Sequence, residues 1–319
     1  MIVYRKTHYS SRGMASKACV LYTLPLTTDQ VDVLADWCEA HGWTFYEVPY
    51  ASYAYRGEDV NIVVYKSRKL VVQGKQTEAF VLNVLEPEVT KKLQFGLEKV
   101  EHSEWFRSHA GLDESGKGDV FGPLVTACVI ADEGMVDFWL KNGLKESKAI
   151  GSDERLFKAE QLVRQPKGVV IETAFAGMEK YNELYQRFGN LNELLAWFHA
   201  QALQKALQRR SVNEGLLDQF SKARLVQKYL KKTDTDENFT LKQRVRAEED
   251  PVVAAASVIA RATYVRQLQQ LSRLCGLPLP KGSGLAAKEA LRQLLKVCGG
   301  NCLPKFCKMH FKTVSEAGS

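Results

Sequence analysis

Two adjacent carboxylates, Asp113 and Glu114, interrupt the apolar segment AGLDESGKGDVFGPLV, which spans residues 110–125. Taken alone, a pair of acids before glycines is most simply a solvated strand end followed by a turn. Paired carboxylates at the end of a buried strand can also hold a cation or move a proton. Acids elsewhere in the chain decide which interpretation has more support.

Three further acids stand at the edges of apolar segments. Asp218 closes the short run EGLLD, and Glu248 and Glu249 precede an Asp-Pro helix start. Each has an ordinary structural explanation, because Asp218 could cap a helix and acids before a helix suit its dipole. Their common placement nevertheless predicts that they meet Asp113 and Glu114 in one cleft.

Carboxylates that converge in a cleft repel one another and raise their own pKa values unless a cation neutralises them. Oxygen ligands without His or Cys select a hard ion such as Mg²⁺ or Mn²⁺. Two such ions about 3.5–4 Å apart can activate a water and stabilise the leaving oxygen of a phosphodiester. The acids therefore predict metal-dependent phosphodiester hydrolysis.

A phosphate-binding loop is the main alternative for the opening segment. Residues 111–118, GLDESGKG, almost fit the pattern G-x-x-x-x-G-K-[ST]. Gly118, however, occupies the position of the magnesium-binding hydroxyl, and the two acids would face the phosphates. The sequence disfavours a nucleoside triphosphatase.

The acids belong to a region in which apolar strands alternate with long helices. We expect strands at 109–114, 121–131, 168–175 and 214–218, and helices at 178–187, 191–210, 250–273 and 284–297. This pattern predicts an α/β domain of about 200 residues. Asp218 then lies at the carboxyl end of a strand, where ligand sites collect. The small residues at 254–257 allow a close helix–sheet contact, and residues 231–240 are expected to form a polar, mobile loop.

The preceding region has a different pattern. A strand at 18–24, a capped helix at 27–42, β-rich runs at 43–48, 51–56, 60–66 and 69–73, and a helix at 76–85 are expected in that order. They predict a small α+β unit with an antiparallel sheet. We therefore expect a first domain at 1–90, a linker at 91–107 and a second domain at 108–319.

Composition restricts the class of protein. The 319 residues are 45% hydrophobic and contain no apolar run of membrane-spanning length. The N-terminus lacks the apolar core of a signal peptide, and the 7 cysteines are odd in number and widely spread, so free thiols and a cytoplasmic location are expected. The net charge of +7 is compatible with a polyanionic partner; residues 1–90 carry 9 Lys/Arg and 10 Asp/Glu, so the basic excess lies beyond them.

Seven motifs carry a family resemblance. In chain order they are DESGKGDVFGPLV, ESK, YNELYQRFGNLNELLAW, DQF, AEEDPVVAAASVIAR, LPKGSG and KMHFKT. Together they resemble bacterial ribonuclease HIII, a type 2 ribonuclease H, over nearly all of residues 108–313. The resemblance implies a ribonuclease H-like mixed sheet flanked by helices. It also implies endonucleolytic cleavage of the RNA strand in RNA/DNA hybrids, leaving 5′-phosphate and 3′-hydroxyl ends.

The resemblance also assigns roles to residues. Asp113, Glu114, Asp218 and Glu248 match the four catalytic acids that bind Mg²⁺ or Mn²⁺, with two ions when substrate is bound, and the neighbouring Glu249 stays an alternative for the fourth. The other matching positions are implied to contact substrate: Gly116, Lys117, Gly118, Ser147, Lys148 and Asn190. Glycines permit close approach of the backbone to the RNA strand, and the 2′-hydroxyl distinguishes RNA from DNA.

The first domain has a resemblance of its own. VVYKSRKLVVQGK and the elements before it resemble the N-terminal domain of ribonuclease HIII, which is similar to one repeat of TATA-box-binding protein and implies substrate binding. Its basic cluster is Tyr65, Lys66, Arg68 and Lys69, and Tyr55 and Arg56 could extend it. The alternative is an ordinary hairpin with a solvated tip.

Three alternatives stay open at this point. The enzyme could cut at single ribonucleotides embedded in duplex DNA, as ribonuclease HII-like proteins do, or the chain could be a catalytically silent hybrid-binding protein. The segment CGGNCLPKFCKMH could form a zinc site from Cys298, Cys302, Cys307 and His310, although the resembling family has none. An RNA/DNA hybrid is the expected partner; neither a membrane nor an obligate protein partner is expected, and a monomer is the default.

Overall fold

A computed structural model describes residues 21–91, 102–144, 150–230 and 239–317. The chain divides into two compact units, Met1–Glu101 and His102–Ser319, a division that falls within the predicted linker. Ser147, Lys148 and part of the expected strand at 18–24 lie outside the described residues. Within the described ranges, no helix combines the length and apolar character needed to cross a membrane.

The first unit is the predicted antiparallel sheet with helices. Its elements are β1 Leu21–Pro25, α1 Thr28–Ala40, β2 Thr44–Phe45, β3 Ala51–Gly57, β4 Val60–Tyr65, β5 Lys69–Gly74, α2 Thr77–Phe80 and a π-helix Val81–Thr90. The sheet order is β1-β5-β4-β3-β2. Thr27 and Gln30 form the capping box that starts α1. Buried residues of α1, such as Leu34, pack with Ile62 and Val72 of the sheet.

The second unit is built on a mixed sheet. Its elements are a 3₁₀ turn Ser103–Phe106, β6 His109–Ser115, β7 Val125–Ala131, α3 Glu133–Lys141, α4 Asp153–Arg164, β8 Val170–Ala174, α5 Met178–Phe188, α6 Leu191–Arg209, β9 Glu214–Asp218, a 3₁₀ turn Val226–Tyr229, β10 Thr240–Arg244, a 3₁₀ turn Ala247–Glu249, α7 Pro251–Cys275, α8 Leu285–Cys298, a 3₁₀ turn Gly300–Lys305 and α9 Lys312–Ala317. The sheet order is β10-β9-β6-β7-β8. Strands β6, β9 and β10 run parallel, whereas β7 and β8 pair antiparallel.

Several elements of this unit differ from the sequence prediction, which did not include helices α3 and α4. The strand expected from residue 121 begins only at Val125, because Gly122 adopts a positive φ of 78° and Pro123 follows it. Strand β10 was not predicted, since TLKQR buries only Leu241 and lacks the pattern of a core strand. Charged and polar side chains are usual on such an edge strand.

Helix α7 lies directly against β6, as the small residues at 254–257 predicted. A Cβ added to Gly111 on β6 would lie 2.4 Å from the carbonyl carbon of Val252 in the first turn of α7. Ala254 to Ser257 are all buried. The absence of side-chain bulk on both surfaces therefore brings the start of α7 to the end of the strand that carries Asp113.

Candidate active site

The sheet register brings the first two acids of the site together. Leu112 of β6 pairs with Leu217 of β9, so the residues that follow, Asp113 and Asp218, lie level on neighbouring parallel strands. Asp218 ends β9 and Asp113 lies two residues before the end of β6, close to the carboxyl ends of the strands, where ligand sites of open α/β sheets occur. The register thus places two carboxylates side by side at one edge of the sheet.

Burial and charge repulsion raise the pKa of Asp113 to about 7. Burial is the larger cause, and the negative charges of Glu114 and Asp218 add to it. Hydrogen bonds from Ser257 and from the Glu114 N–H, at 2.7 Å, act in the opposite direction. The pKa of Asp113 stays raised despite these hydrogen bonds, so a cation bound nearby would stabilise its carboxylate form.

Glu248 completes this side of the site. Arg246, in the left-handed region with φ of 57°, turns the chain from β10 into the 3₁₀ turn Ala247–Glu249. Asp218 accepts the Ala247 N–H at 2.9 Å, and burial raises the pKa of Asp218, with Glu248 as a further cause. Glu248 is buried whereas Glu249 is exposed, so the geometry favours Glu248 as the fourth acid.

Glu114 extends from β6 toward a different neighbour. Strand β6 continues to Ser115, so Glu114 is held within the strand and alternates with Asp113. Its Oε2 lies 3.2 Å from Nε2 of His199 on α6, and its Oε1 lies 3.9 Å from Nζ of Lys117. His199 is completely buried. Sequence reasoning did not select it, because a histidine in an apolar helix is typical of a core.

Besides burial, the charges of Glu114 and Asp218 raise the pKa of Asp113, and the charges of Glu248 and Glu114 raise the pKa of Asp218, so the four acids interact electrostatically. Across the described ranges, no three Asp, Glu, His or Cys side chains already stand as a metal-binding group. The donor set nevertheless fits a hard divalent cation, because it consists of carboxylate oxygens that are partly buried and repel one another. Divalent charge is what would offset that repulsion.

The glycine-basic-glycine element follows β6 directly. Gly116 has φ of 88°, and a Cβ there would lie 2.2 Å from the carbonyl oxygen of Pro123, so the loop requires glycine at this position. Around Gly118 a Cβ would meet nothing within 4 Å. The Lys117 ammonium lies 5.4 Å from the ring centroid of Phe220. Gly118 therefore leaves room for a ligand beside Lys117, whose ammonium lies near Phe220 and Glu114.

Lys308, from the KMHFKT motif, holds this loop in place. Its buried ammonium donates to the carbonyl oxygens of Asp119, at 2.8 Å, and of Gly122, at 2.5 Å. Burial lowers the pKa of Lys308 to about 7. The sequence contains no signal for this contact, since a lysine in a polar segment is normally exposed.

Comparison with known proteins finds relatives over most of the chain. The chain is 38% identical over 266 residues to ribonuclease HIII of Protochlamydia amoebophila, covering 83% of this chain and 86% of the relative. It is 37% identical over 298 residues to ribonuclease HIII of Chlamydia pneumoniae, covering 92% and 97%. The chain belongs to the ribonuclease HIII family.

Two further comparisons support the assignment. The profile of the family described as ribonuclease HII matches residues 110–314, and a profile described as a domain of unknown function matches residues 43–94. The crystal structure of Bst-RNase HIII in complex with Mn²⁺ has a TM-score of 0.62 and 27% identity, covering 93% of this chain and 97% of that one. The predicted fold class and the prediction of a ribonuclease of this family are confirmed.

Asn190, which the ribonuclease HIII resemblance implied to contact substrate, has a structural role. Its side-chain oxygen caps α6 by accepting the N–H groups of Asn192, at 2.8 Å, and Glu193, at 3.4 Å. This explains its position at the start of a long helix. A substrate contact by Asn190 stays a prediction, as do those of Ser147 and Lys148.

In the first unit, the predicted basic cluster lies on the turn between β4 and β5. Arg68 has φ of 63° and its side chain reaches Oγ1 of Thr28 at 3.2 Å, on the helical side. Because Val64 and Leu70 are buried, the alternating Tyr65 and Lys69 belong to the open face of the sheet. The cluster therefore divides between two sides of the turn.

Of the two residues proposed to extend that cluster, the structure exposes only Arg56. Arg56 is exposed, with its guanidinium 4.6 Å from the ring centroid of Tyr46. Tyr55, in contrast, is buried, and its hydroxyl donates to Glu39 at 2.8 Å. Tyr55 points into the core because it alternates with Arg56 along β3.

The expectation of free thiols is wrong for one pair. Cys298 ends α8, and the following turn returns Cys302 to a Cα–Cα distance of 6.0 Å, where the two form a disulfide. This pairing removes two of the four ligands of the zinc alternative. Burial raises the pKa of the Cys307 thiol to about 12, and His310 stacks on Tyr185 at 3.9 Å. The structure therefore does not assemble the zinc site.

Proposed function

We propose that this ribonuclease HIII family member hydrolyses the RNA strand of RNA/DNA hybrids with divalent metal ions, leaving 5′-phosphate and 3′-hydroxyl ends. The observation that carries the proposal is the set of mutually repelling carboxylates at the ends of β6 and β9, with the pKa of Asp113 raised to about 7. Such an arrangement is costly without a cation, and its oxygen-only donors suit Mg²⁺ and Mn²⁺. The related Bst-RNase HIII was crystallised with Mn²⁺.

In the proposed mechanism, Asp113, Glu114, Asp218 and Glu248 hold the metal. Bound there, divalent ions supply the Lewis acidity that activates a water and stabilises the leaving 3′-oxygen. Asp113 and Asp218 are fixed by the strand register, and Glu248 by the turn that begins at Arg246. Burial and repulsion raise the pKa values of Asp113 and Asp218, and a bound divalent ion would favour their ionised forms.

Substrate recognition is assigned to the loop after β6. Gly118 has open space around it, so the backbone can approach the RNA strand, where a 2′-hydroxyl distinguishes RNA from DNA. Lys117 is positioned to meet a phosphate. Tyr65 and Lys69, on the open face of the first unit, provide a second phosphate-binding surface. The cytoplasmic location expected from the sequence stays a prediction.

The test compares two substrates with one variant. Wild type and Asp218→Asn are assayed with Mg²⁺ or Mn²⁺ on a uniform RNA/DNA hybrid and on a DNA duplex with one embedded ribonucleotide. Metal-dependent cutting within the hybrid, lost in Asp218→Asn, is the expected result. Cutting only at the single ribonucleotide would indicate a ribonuclease HII-like activity. Tight hybrid binding without cleavage by the wild type would refute the enzyme proposal.

A further inference from the structure

We propose that His199 is the positioning residue for Glu114, with its imidazole donating the hydrogen bond that fixes the carboxylate for metal binding. The inference rests on the proposed function, because it concerns one of the four acids assigned to the metal. Nε2 of His199 lies 3.2 Å from Oε2 of Glu114, although 85 residues separate them in the chain. The contact joins the long helix α6 to the strand that carries two of the acids.

The tautomer of His199 follows from its surroundings. Its side chain is completely buried, and within the described part of the chain Nδ1 has no hydrogen-bond partner. A carboxylate can only accept, so the nitrogen facing Glu114 must carry a proton. The Nε2–H tautomer meets this requirement and leaves no buried N–H donor unsatisfied at Nδ1. The ring thus acts as a one-directional donor to Glu114.

A second contact fixes the plane of the ring. The His199 imidazole stacks on Phe220, with centroids 5.4 Å apart and an interplanar angle of 11°. Phe220 follows Asp218 by two residues, and its ring also receives the Lys117 ammonium at 5.4 Å. The same aromatic ring therefore contacts both the residue that orients Glu114 and the lysine assigned to substrate. This contact restricts rotation of the His199 ring.

Asp113 and Asp218 have other supports, and Asp113 accepts hydrogen bonds from Ser257 and from the Glu114 N–H. Asp113 and Asp218 are placed by neighbouring strands, and Asp218 accepts a backbone N–H. Glu114 has a long, flexible side chain whose described contacts are His199 and, at 3.9 Å, Lys117. Removing a partner that orients a metal ligand typically lowers metal affinity or activity by 10–100-fold. His199 is the residue at which that loss is expected here.

Three variants test the proposal. His199→Ala removes the donor, and His199→Gln keeps an N–H donor at similar reach. Leu203→Ala, one turn further along α6 and also completely buried, creates a comparable cavity without touching Glu114. The readouts are Mn²⁺ affinity, measured from the electron paramagnetic resonance signal of unbound Mn²⁺, melting temperature, and kcat and KM on a uniform hybrid.

We expect His199→Ala to weaken Mn²⁺ binding and kcat by about 10–100-fold while KM changes by less than about 3-fold. His199→Gln should recover most of that loss. Leu203→Ala should lower the melting temperature as much as His199→Ala but leave Mn²⁺ affinity at the wild-type value. Equal losses of Mn²⁺ affinity in both alanine variants, or no recovery in His199→Gln, would overturn the proposal. If the wild type itself does not cleave hybrid, the proposed function fails, whereas the Mn²⁺ affinities still decide the role of His199.

Discussion

Replacing Asp113 by Asn should stabilise the metal-free protein above neutral pH, because burial and the charges of Glu114 and Asp218 destabilise the native Asp113 carboxylate. Its pKa rises from an ordinary 3.8 to about 7, so between these values the folded state binds more protons than the unfolded state. Stability then falls as pH rises through that window. Each pKa unit corresponds to about 1.4 kcal/mol, so above pH 7 ionisation of Asp113 lowers the unfolding free energy by about 4 kcal/mol at most.

We expect Asp113→Asn to gain about 2–4 kcal/mol in unfolding free energy at pH 8 and close to nothing at pH 4, where the wild-type carboxyl is protonated. Asn retains the oxygen that accepts the Glu114 N–H. Urea denaturation with a chelator at the two pH values measures the difference, and Asp36→Asn, on the exposed side of α1, is the control. A gain of the same size at both pH values, or none at pH 8, would refute the reasoning. Added Mn²⁺ should reverse the ranking, since only the wild type keeps the full ligand set.

Three further predictions concern the supporting structure. Gly116→Ala should abolish activity, because its Cβ would lie 2.2 Å from the carbonyl oxygen of Pro123. Gly118→Ala, whose Cβ would have nothing within 4 Å, should change the unfolding free energy by less than about 0.5 kcal/mol and selectively raise KM. Comparable melting temperatures for the two variants would contradict this prediction. Lys308→Met should leave two carbonyl oxygens without their donor and raise KM for the hybrid more than it lowers kcat, as steady-state kinetics would reveal. Glu160→Gln should cost about 1–3 kcal/mol in urea denaturation, since this buried carboxylate pairs with two arginines; no loss would mean that the pairs are fully screened.

The strand-borne acids were predictable because they stand where apolar runs end. Asp218 closes β9 at the residue expected, and Asp113 lies one residue inside the expected end of β6. Parallel strands bring such ends to one side of a sheet by a general rule, but only the structure shows that β6 and β9 are neighbours. The structure distinguishes Glu248 from Glu249 as the fourth acid, because after the left-handed Arg246 the Glu248 side chain is buried and the Glu249 side chain is exposed.

The residues that support the acids could not be read in this way. His199 lies in an apolar helix, and its partner is 85 residues away. Lys308 reaches the carbonyl of Gly122 across 186 residues, from a segment that looks polar and exposed. Strand β10 has one buried side chain, Leu241, so its sequence lacks the alternating apolar pattern that would predict a strand. Each of these features depends on contacts between segments that are distant in the chain, and local sequence patterns do not specify such contacts.

The start of helix α7 explains how a set of repelling acids keeps its shape. Asp250 caps the helix by accepting the Val252 N–H at 2.8 Å, and His109, at the start of β6, lies 3.1 Å from the same carboxylate oxygen. Together with the close packing at Gly111, these contacts attach the helix to the strand that carries Asp113. Glu248 lies two residues before the cap, so its backbone is fixed by packing and capping, and charge repulsion acts only on its side chain. Glu114, on the opposite side, has no comparable backbone anchor beyond its strand, and a buried histidine on another element is therefore the contact that can hold its carboxylate.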